Sequence, residues 1–356
     1  MNRPERRLSA HFLSPSETFA DLARKLCVWE GAVGRVVMAY RVTGQLAFSD
    51  LEVGAGSGSA MLRRLDAIVD WDRFDDLLRR VVLERSRGAA AYPPLLMFRA
   101  LLLQRWYSLS DPQLEEALND RVSFKRFVGL SMSDAAPDHS TIWRFRERLE
   151  QSGLDVRLGE ELQRQLAANQ LIVRSGTLVD ASLIGSAAAR PAERGSTRSE
   201  VDPDARWGKK GKRSTFGYKM HVAVDEGSLL VRDVIVSEAN HNDCEFTQQL
   251  VQGDEGCLIA DKAYHDKKVS KELKRRGIKD GIMRRGNKHY AQSKSEVRRN
   301  KKLAPRRSPV ESVFGTLKRC YGLARMRCFT MARNTTDVLI GCMAYNLRRM
   351  VSLMPI

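Results

Sequence analysis

The sequence lacks the residue patterns of several common protein classes. Its six cysteines form no Cys-X-X-Cys pair and have no histidines at zinc-finger spacing, so neither a disulfide framework nor a zinc site is indicated. The most apolar run, Leu95 to Trp106, is interrupted by Arg99 and is too short to cross a bilayer. The N-terminal residues lack the apolar core of a signal peptide. These absences predict a cytoplasmic protein with no membrane partner.

Acidic residues are the scarcer charged class. Among 356 residues, 60 are Lys or Arg and 43 are Asp or Glu, which gives a net charge of +17. The excess is concentrated, because residues 262–307 contain 18 Lys or Arg and four acids. Such a concentration of positive charge predicts a polyanionic partner, nucleic acid before a membrane surface.

The length of the chain favours two domains. Residues 1–44 show no persistent pattern and are an unassigned N-terminal extension, and Met38 is a candidate for the true start. The Gly-Ser segment at 54–59 has the composition of a phosphate loop, but no Gly-Lys-Ser/Thr follows it, so a linker is favoured. We expect a helical domain over 45–153 and an α/β domain over 170–350.

Apolar residues in the first domain recur at helical spacing from Met61 onward. Further short helices are predicted after Pro94, after Ser110 and after Pro137. The last of these carries Arg144 and Arg146 just after a Ser-Thr start, which is typical of a helix-turn-helix unit that binds DNA. The alternative, that these arginines form only a solvated helix face, fits the pattern equally well.

The second domain reads as strand, hairpin, helix, strand, helix, strand, helix, which indicates a mixed α/β layer architecture. A polar, basic loop that ends in "RWGKKGKRSTFGYK" is predicted after the first strand, and a second basic loop is predicted before the last helix. Asp180 lies within the first, apolar strand, Asp261 ends a later strand, and Glu311 lies in the last helix. A buried Asp is costly unless it is paired or binds a cation. Hard oxygen ligands suit Mg²⁺ or Mn²⁺, so the three acids predict a carboxylate cluster for metal-assisted phosphodiester chemistry.

Glu311 also has a structural interpretation. Ser308 fits an N-cap, Pro309 fits the first helical position, and Glu311 could complete a capping box with Ser308. The capping role and the metal role are compatible with one another.

Several segments together resemble the DDE transposases of bacterial insertion sequences, specifically insertion-sequence family five. The resemblance runs from about Leu46 to Arg349. It is carried in the first domain by "PDHSTIWRFRERL" and in the second by "LVDASLI", "DARWGKKGKRSTFGYKMH", "IADKAY" and "RRSPVESVFGTLKR". It implies an RNase H-like mixed-sheet catalytic domain preceded by an all-α, helix-turn-helix-like DNA-binding domain.

The resemblance also implies a function. The catalytic and metal-binding triad would be Asp180, Asp261 and Glu311, with Mg²⁺, or Mn²⁺, as the cofactor. The partners would be double-stranded DNA, as terminal inverted repeats and as target DNA, and further copies of the chain in a synaptic homodimer or larger assembly. The protein would work at the bacterial nucleoid.

A signature of related insertion sequences places a Tyr, an Arg, the Glu and a Lys in register. Here Arg307 precedes Glu311 by four residues and Lys318 follows it by seven, while Ala304 stands where the Tyr is expected. Lys318 therefore shares a helix face with Glu311 and can contact a phosphate. Further phosphate contacts are expected from the basic side chains around the site, namely Arg306, Lys219 and Lys262.

Two other interpretations stay open on the sequence alone. His221 and His265 lie near the predicted site, and a structural or phosphate-contacting role is at least as well supported as catalysis. A non-catalytic DNA-binding regulator or a decayed transposase would keep the basic surface, although it has no need of three acids facing phosphates. A nuclease of the same superfamily would cleave DNA without joining it.

Overall fold

The computed structural model describes residues 40–45, 59–79, 90–189, 191, 199–211, 213–286 and 291–354. Residues 1–39 and 46–58 lie outside the described residues. The predictions about the N-terminal extension, Met38 and the Gly-Ser linker therefore stay predictions.

Seven helices fill the described part of the chain before the first strand. They are α1 Ala60–Ile68, α2 Trp71–Leu78, α3 Pro94–Trp106, α4 Asp111–Asp120, α5 Val122–Val128, α6 His139–Ser152 and α7 Leu154–Ala168. The predicted starts of α3, α4 and α6 are confirmed. At α4 the Ser110 hydroxyl accepts the amide of Gln113, and the Gln113 side chain accepts the amide of Ser110, so a full capping box closes the helix end.

The helical pattern from Met61 onward is broken into two helices rather than one. Asp70 lies between α1 and α2, and its side chain accepts the Arg73 amide at 3.4 Å. An Asp that caps the next turn favours a new helix start over a continued one. Apolar periodicity alone gave no sign of this break.

A six-stranded mixed sheet forms the second half of the fold. Its strands are β1 Thr177–Gly185, β2 Arg206–Lys210, β3 Arg213–Asp225, β4 Val231–Glu238, β5 Cys257–Ala260 and β6 Lys279–Ile282. β3 pairs antiparallel with β1, β2 and β4, whereas β5 is parallel to both β1 and β6. The C-terminal ends of β1, β5 and β6 therefore point the same way, toward one end of the sheet.

The remaining helices follow or connect these strands. They are α8 Thr247–Leu250, α9 Lys267–Arg275, α10 Lys294–Arg307, α11 Pro309–Cys320 and α12 Met331–Leu353, with short 3-10 turns at Asp243–Phe246 and Lys262–Tyr264.

Two segments that were predicted as basic loops contain regular structure. Residues 206–210 form β2, residues 213–217 begin β3, and residues 294–307 form α10. α10 buries only Leu303 and contains Pro305, so it has no apolar stripe for periodicity to detect. Its capping box between Ser293 and Glu296 is the local signal that marks its start.

The N-terminal helices and α12 share a hydrophobic core with one set of sheet residues, and a second, smaller core packs other residues of the sheet against α8 and α9. The Trp106 indole of α3 donates to the Ala344 carbonyl at 2.8 Å. On the sheet side, the Asn346 side chain bonds both backbone groups of Val231, the first residue of β4. Residues 40–356 form one compact unit, and the predicted domain limits at 153 and 170 stay predictions.

No helix among the described residues is both long enough and apolar enough to cross a membrane.

Candidate active site

Asp180, which lies within β1, is next to Asp261, which directly follows the neighbouring parallel strand β5. The last register pair of β1 and β5 is Val179 with Ala260, and each aspartate is the next residue along its strand. Paired residues of neighbouring strands project to the same face of a sheet, about 4.8 Å apart. The strand ends therefore bring the two carboxyl groups to one face.

Glu311 reaches the same place from α11. It lies in the first turn of this helix, whose apolar face packs into the core through Val310, Val313 and Leu317. The link to β1 is Arg307, the last residue of α10. Its guanidinium donates to Asp180 Oδ2 at 2.8 Å and to Glu311 Oε1 at 2.6 Å.

Arg307 is thus the counter-charge of the predicted triad. Burial works against its charge, but the carboxylates of Asp180, Glu311 and Asp261 outweigh burial and raise its pKa. All three predicted acids, which lie far apart in the sequence, act on this one guanidinium. The structure therefore brings the predicted triad together.

Asp180 is the most enclosed member of the triad. Its side chain is 13% exposed, whereas that of Glu311 is 63% exposed. Burial raises the pKa of Asp180 and the neighbouring charge of Asp261 adds to the rise, while the Ala181 amide, Arg307 and Lys210 act against it. A buried carboxylate has lost the water that stabilises its charge, and a second carboxylate beside it repels that charge. A bound cation offsets both effects, so this arrangement favours a cation site.

The capping interpretation of Glu311 was wrong. Ser308 has helical dihedral angles (φ −47°, ψ −38°), makes no side-chain capping bond, and donates its amide to the Ala304 carbonyl at 3.0 Å. An N-cap residue has an extended conformation, and its own amide does not belong to a preceding helix. Because α10 runs up to Arg307, Ser308 continues a helix instead of starting one, and Glu311 is left to pair with Arg307.

The donor set fits a hard divalent cation in chemistry, since it consists of carboxylate oxygens. Among the described residues, no three metal-ligating side chains are arranged closely enough to hold an ion. The reason is visible at Asp180 and Glu311, where the Arg307 guanidinium takes the oxygen atoms that a metal would use. An ion at this site would have to replace Arg307 as the counter-charge.

Three of the predicted DNA contacts are placed where a phosphate could reach them. Lys262 directly follows Asp261 and is exposed, and Arg144 is exposed on α6. Lys318 is partly buried and donates to the Leu183 carbonyl of β1 at 2.6 Å. Burial lowers the pKa of Lys318, and the nearby charge of Lys210 lowers it further.

Arg146 is not available to DNA in this structure. It is 7% exposed, and its guanidinium bonds Asp111 at 2.6 Å and Gln104 at 2.9 Å. These contacts join α6 to α3 and α4. The arrangement supports a structural role for this arginine, because breaking a buried ion pair costs several kcal/mol, roughly 3–5.

Lys219 and Arg306 are also engaged with acids. Lys219 contacts Asp243 at 2.8 Å, and Arg306 holds Glu226 through two bonds of 2.7 and 2.8 Å. The second pair fastens the end of α10 to the turn after β3. Either side chain would have to leave a carboxylate to contact a phosphate.

The two histidines near the site favour structural interpretations. His221 is fully buried, its Nε2 lies 2.9 Å from the Ser237 hydroxyl, and its ring packs on Phe246. Burial lowers its pKa to about 4, so it is neutral near pH 7. It pairs in register with Ala181, so its side chain faces away from that of Asp180. His265 is exposed, and burial and Arg284 lower its pKa.

Sequence analysis missed two residues beside the triad. Lys210 ends β2, and its segment was interpreted as a loop although it shows the basic "GKKGKR" signal. Tyr264 follows Asp261 by three residues and is fully buried, and its hydroxyl has no hydrogen-bond partner among the described residues. Burial raises the pKa of Tyr264, and the charges of Asp243, Asp180 and Asp261 raise it further. No sequence signal distinguishes this tyrosine from an ordinary core residue.

Comparisons with known proteins indicate the family of the chain. A family model described as a transposase domain (DUF772) matches residues 55–148, and one described as a transposase DDE domain matches residues 172–347. Among solved structures, the chain is similar to a piggyBac transposase synaptic complex with hairpin DNA, solved by cryo-EM. The identity is 13% and the TM-score 0.39, with 82% of this chain and 72% of that chain covered. Asp180, Asp261 and Glu311 all lie within the residues that the second model matches, and the two models together show that the chain belongs to the DDE transposases.

Proposed function

We propose that this protein cleaves DNA at the ends of an insertion sequence and joins the freed ends to target DNA, in the manner of insertion-sequence family five. Asp180, Asp261 and Glu311 are the catalytic residues. The observation that carries the proposal is the convergence of these three acids on the Arg307 guanidinium. A core that only needed stability would gain little from three carboxylates around one arginine.

The sheet supports an RNase H-like fold for the catalytic part. Three antiparallel strands, β4, β3 and β1, are followed across the sheet by β5 and β6, which are parallel to β1. Asp180 lies within β1, Asp261 directly follows β5, and Glu311 lies in the first turn of α11. We assign the helix-turn-helix-like unit to α4–α6, with Arg144 on its exposed face.

Asp180, Asp261 and Glu311 are the residues that would hold Mg²⁺, or Mn²⁺. Bound divalent ions would supply Lewis acids that lower the pKa of water and stabilise the charge developing on the scissile phosphate. With Asp180 and Glu311 holding an ion, Arg307 would be left without its two carboxylate partners. A planar guanidinium is well suited to grip a phosphate, so the same arginine serves as counter-charge before DNA binds and as phosphate ligand afterwards.

Two phosphoryl-transfer steps follow from the proposal. In the first, the oxygen of water bonds to phosphorus at the end of the element, the bond to the 3′ oxygen breaks, and a 3′-OH and a 5′-phosphate result. In the second, that 3′ oxygen attacks a target phosphodiester, whose own 3′ oxygen leaves with the proton. Lys262 and Lys318 hold flanking phosphates in line, and this binding weakens with salt through counterion release. Because two ends must be joined together, we expect at least a homodimer on DNA.

The test uses a labelled duplex that carries the terminal inverted repeat found beside the gene. We would incubate it with Mg²⁺ and either the wild type, Asp180→Asn or Glu311→Gln, and separate the cleaved and joined products on a gel. Glu116→Gln, an exposed glutamate on α4, is the matched control.

The proposal expects cleaved and joined products from the wild type and the control, and losses of at least a hundredfold in both triad variants. Salt-sensitive binding without products in the wild type would favour a non-catalytic DNA-binding protein. Cleaved products without joined products would point to a nuclease.

A further inference from the structure

The β2–β3 hairpin carries a cluster of exposed cations close to the triad. Lys209 and Lys210 end β2, Arg213 begins β3, and all three are exposed. Lys210 pairs in register with Arg213, so both flank the turn that contains Gly211. The hairpin therefore presents its positive charge at its tip.

The base of this hairpin is pressed against the second half of β1. A side chain at Gly217 would come within 2.2 Å of the Ile184 carbonyl, and one at Gly208 within 2.6 Å of the Leu183 side chain. Such close approach needs glycine at both positions. The Leu183 carbonyl in turn accepts the amine of Lys318 at 2.6 Å.

Two lysines from separate elements meet at this part of β1. Lys318 comes from α11 and Lys210 from the hairpin, and they are close enough for the charge of Lys210 to add to the effect of burial in lowering the pKa of Lys318. Leu183, whose carbonyl Lys318 contacts, lies three residues beyond Asp180 on β1. The lysine pair therefore borders the catalytic carboxylates.

None of the ion pairs formed among the described residues includes Lys209, Lys210, Arg213 or Lys318. Like charges that are brought together without a carboxylate repel one another. Other lysines and arginines of the region do have acids as partners, as Lys219 has Asp243 and Arg306 has Glu226. What an anion site requires is present at the hairpin, where several cations lie together and form no ion pair among the described residues.

We propose that Lys210 and Lys318 form a binding site for one backbone phosphate of DNA beside the scissile bond, and that Lys209 and Arg213 extend it to the next phosphates. The hairpin would lie along the duplex and hold it against the triad. This inference rests on the proposed function, because it takes DNA as the source of the phosphate. It adds a second phosphate-binding element to α11.

The test measures binding to a fluorescein-labelled duplex by anisotropy at several salt concentrations, without Mg²⁺ so that no chemistry occurs. The variant is Lys209→Ala/Lys210→Ala. The control is Arg63→Ala/Arg157→Ala, which removes the same charge at exposed positions on α1 and α7, outside both the hairpin and the basic 262–307 stretch. Circular dichroism checks that both variants are folded.

We expect the slope of log K against log salt to fall by about one for each phosphate that the hairpin variant no longer binds, with no change in the control. A second comparison combines Lys210→Ala with Lys318→Ala. If both lysines hold one phosphate, the double variant loses less affinity than the sum of the single losses.

Equal slopes in the hairpin variant and its control would overturn the inference, and so would strict additivity of the two lysine changes. Neither result would affect the proposed function if the wild type still makes Mg²⁺-dependent products. Absence of those products from the wild type, with the hairpin effect on binding retained, would overturn the proposed function and leave the phosphate site in place.

Discussion

At the scale of single residues, two buried polar side chains near the triad differ in the hydrogen bonds that their polar atoms make. His221 and Tyr264 both lie in the sheet region near the acids and both are fully buried. His221 has the Ser237 hydroxyl as a partner, whereas the Tyr264 hydroxyl has none among the described residues. We therefore expect substitutions of the two side chains to affect the stability of the protein differently.

His221 should make stability depend on pH. The pKa of His221 is about 4 in the folded protein, and its ordinary value is 6.5. Below pH 6.5 the unfolded state therefore binds a proton that the folded state does not bind. Stability therefore falls as pH decreases from 6.5 to 4, by about 3 kcal/mol at about 1.4 kcal/mol per pKa unit. Denaturant unfolding at pH 7 and pH 4.5 measures this, with His221→Gln expected to show a smaller loss. A loss as large as in the wild type, or an equal effect from the exposed His265→Gln, would contradict the assignment.

Tyr264→Phe should leave the protein as stable as the wild type or stabilise it. A buried hydroxyl without a partner costs about 1–3 kcal/mol, and phenylalanine removes that cost while filling the same space. Tyr218→Phe is the matched comparison, because the buried Tyr218 hydroxyl donates to Asp202 and its removal leaves a carboxylate under-satisfied. Thermal unfolding of both variants gives the answer. If Tyr264→Phe is destabilised as much as Tyr218→Phe, the Tyr264 hydroxyl has a hydrogen-bond partner, which would contradict this account.

At the scale of elements, local sequence signals predicted helix starts where an extended residue precedes the helix. Ser110 and Asp138 are both extended and both cap their helices. The same kind of signal failed at Ser308, because a capping residue cannot be recognised without knowing what precedes it. The helix that precedes it, α10, is too polar to show apolar periodicity.

This difference predicts unequal costs for two serine substitutions. Ser110→Ala removes a capping box and should cost about 1 kcal/mol of stability. Ser308→Ala removes no capping bond and should cost less than about 0.5 kcal/mol. Denaturant unfolding of the two variants compares them directly. A cost at Ser308 equal to that at Ser110 would restore the capping interpretation.

At the scale of the whole molecule, the sequence predicted which segments carry the acids but not how the sheet orders them. Strands β1 and β5 are neighbours although about seventy residues separate them, and the register that places Asp180 beside Asp261 depends on that pairing. No periodicity encodes a pairing between distant segments. The role of Arg307 as counter-charge was hidden for the same reason, since it depends on α10 ending next to β1.

The shared core predicts that the helical half does not fold alone. α12 covers apolar surface on α1, α3, α6 and α7, and the Trp106 bond to Ala344 crosses this interface. A fragment of residues 59–168 should therefore bind a dye specific for exposed apolar surface and unfold without a cooperative transition. The full chain should show one cooperative transition and little dye binding. Cooperative unfolding of the fragment would show instead that 45–153 is an independent domain.

The central claim is that Asp180, Asp261 and Glu311 form a metal centre that Arg307 occupies in the absence of the ion. Calorimetric titration of the DNA-free protein with Mn²⁺ tests it most directly, because binding is measured apart from catalysis. We predict that Glu311→Gln binds Mn²⁺ at least tenfold more weakly than the wild type, that Glu116→Gln is unchanged, and that Arg307→Gln binds more tightly because the competing guanidinium is gone. Equal Mn²⁺ affinity in Glu311→Gln and the wild type would contradict the metal centre.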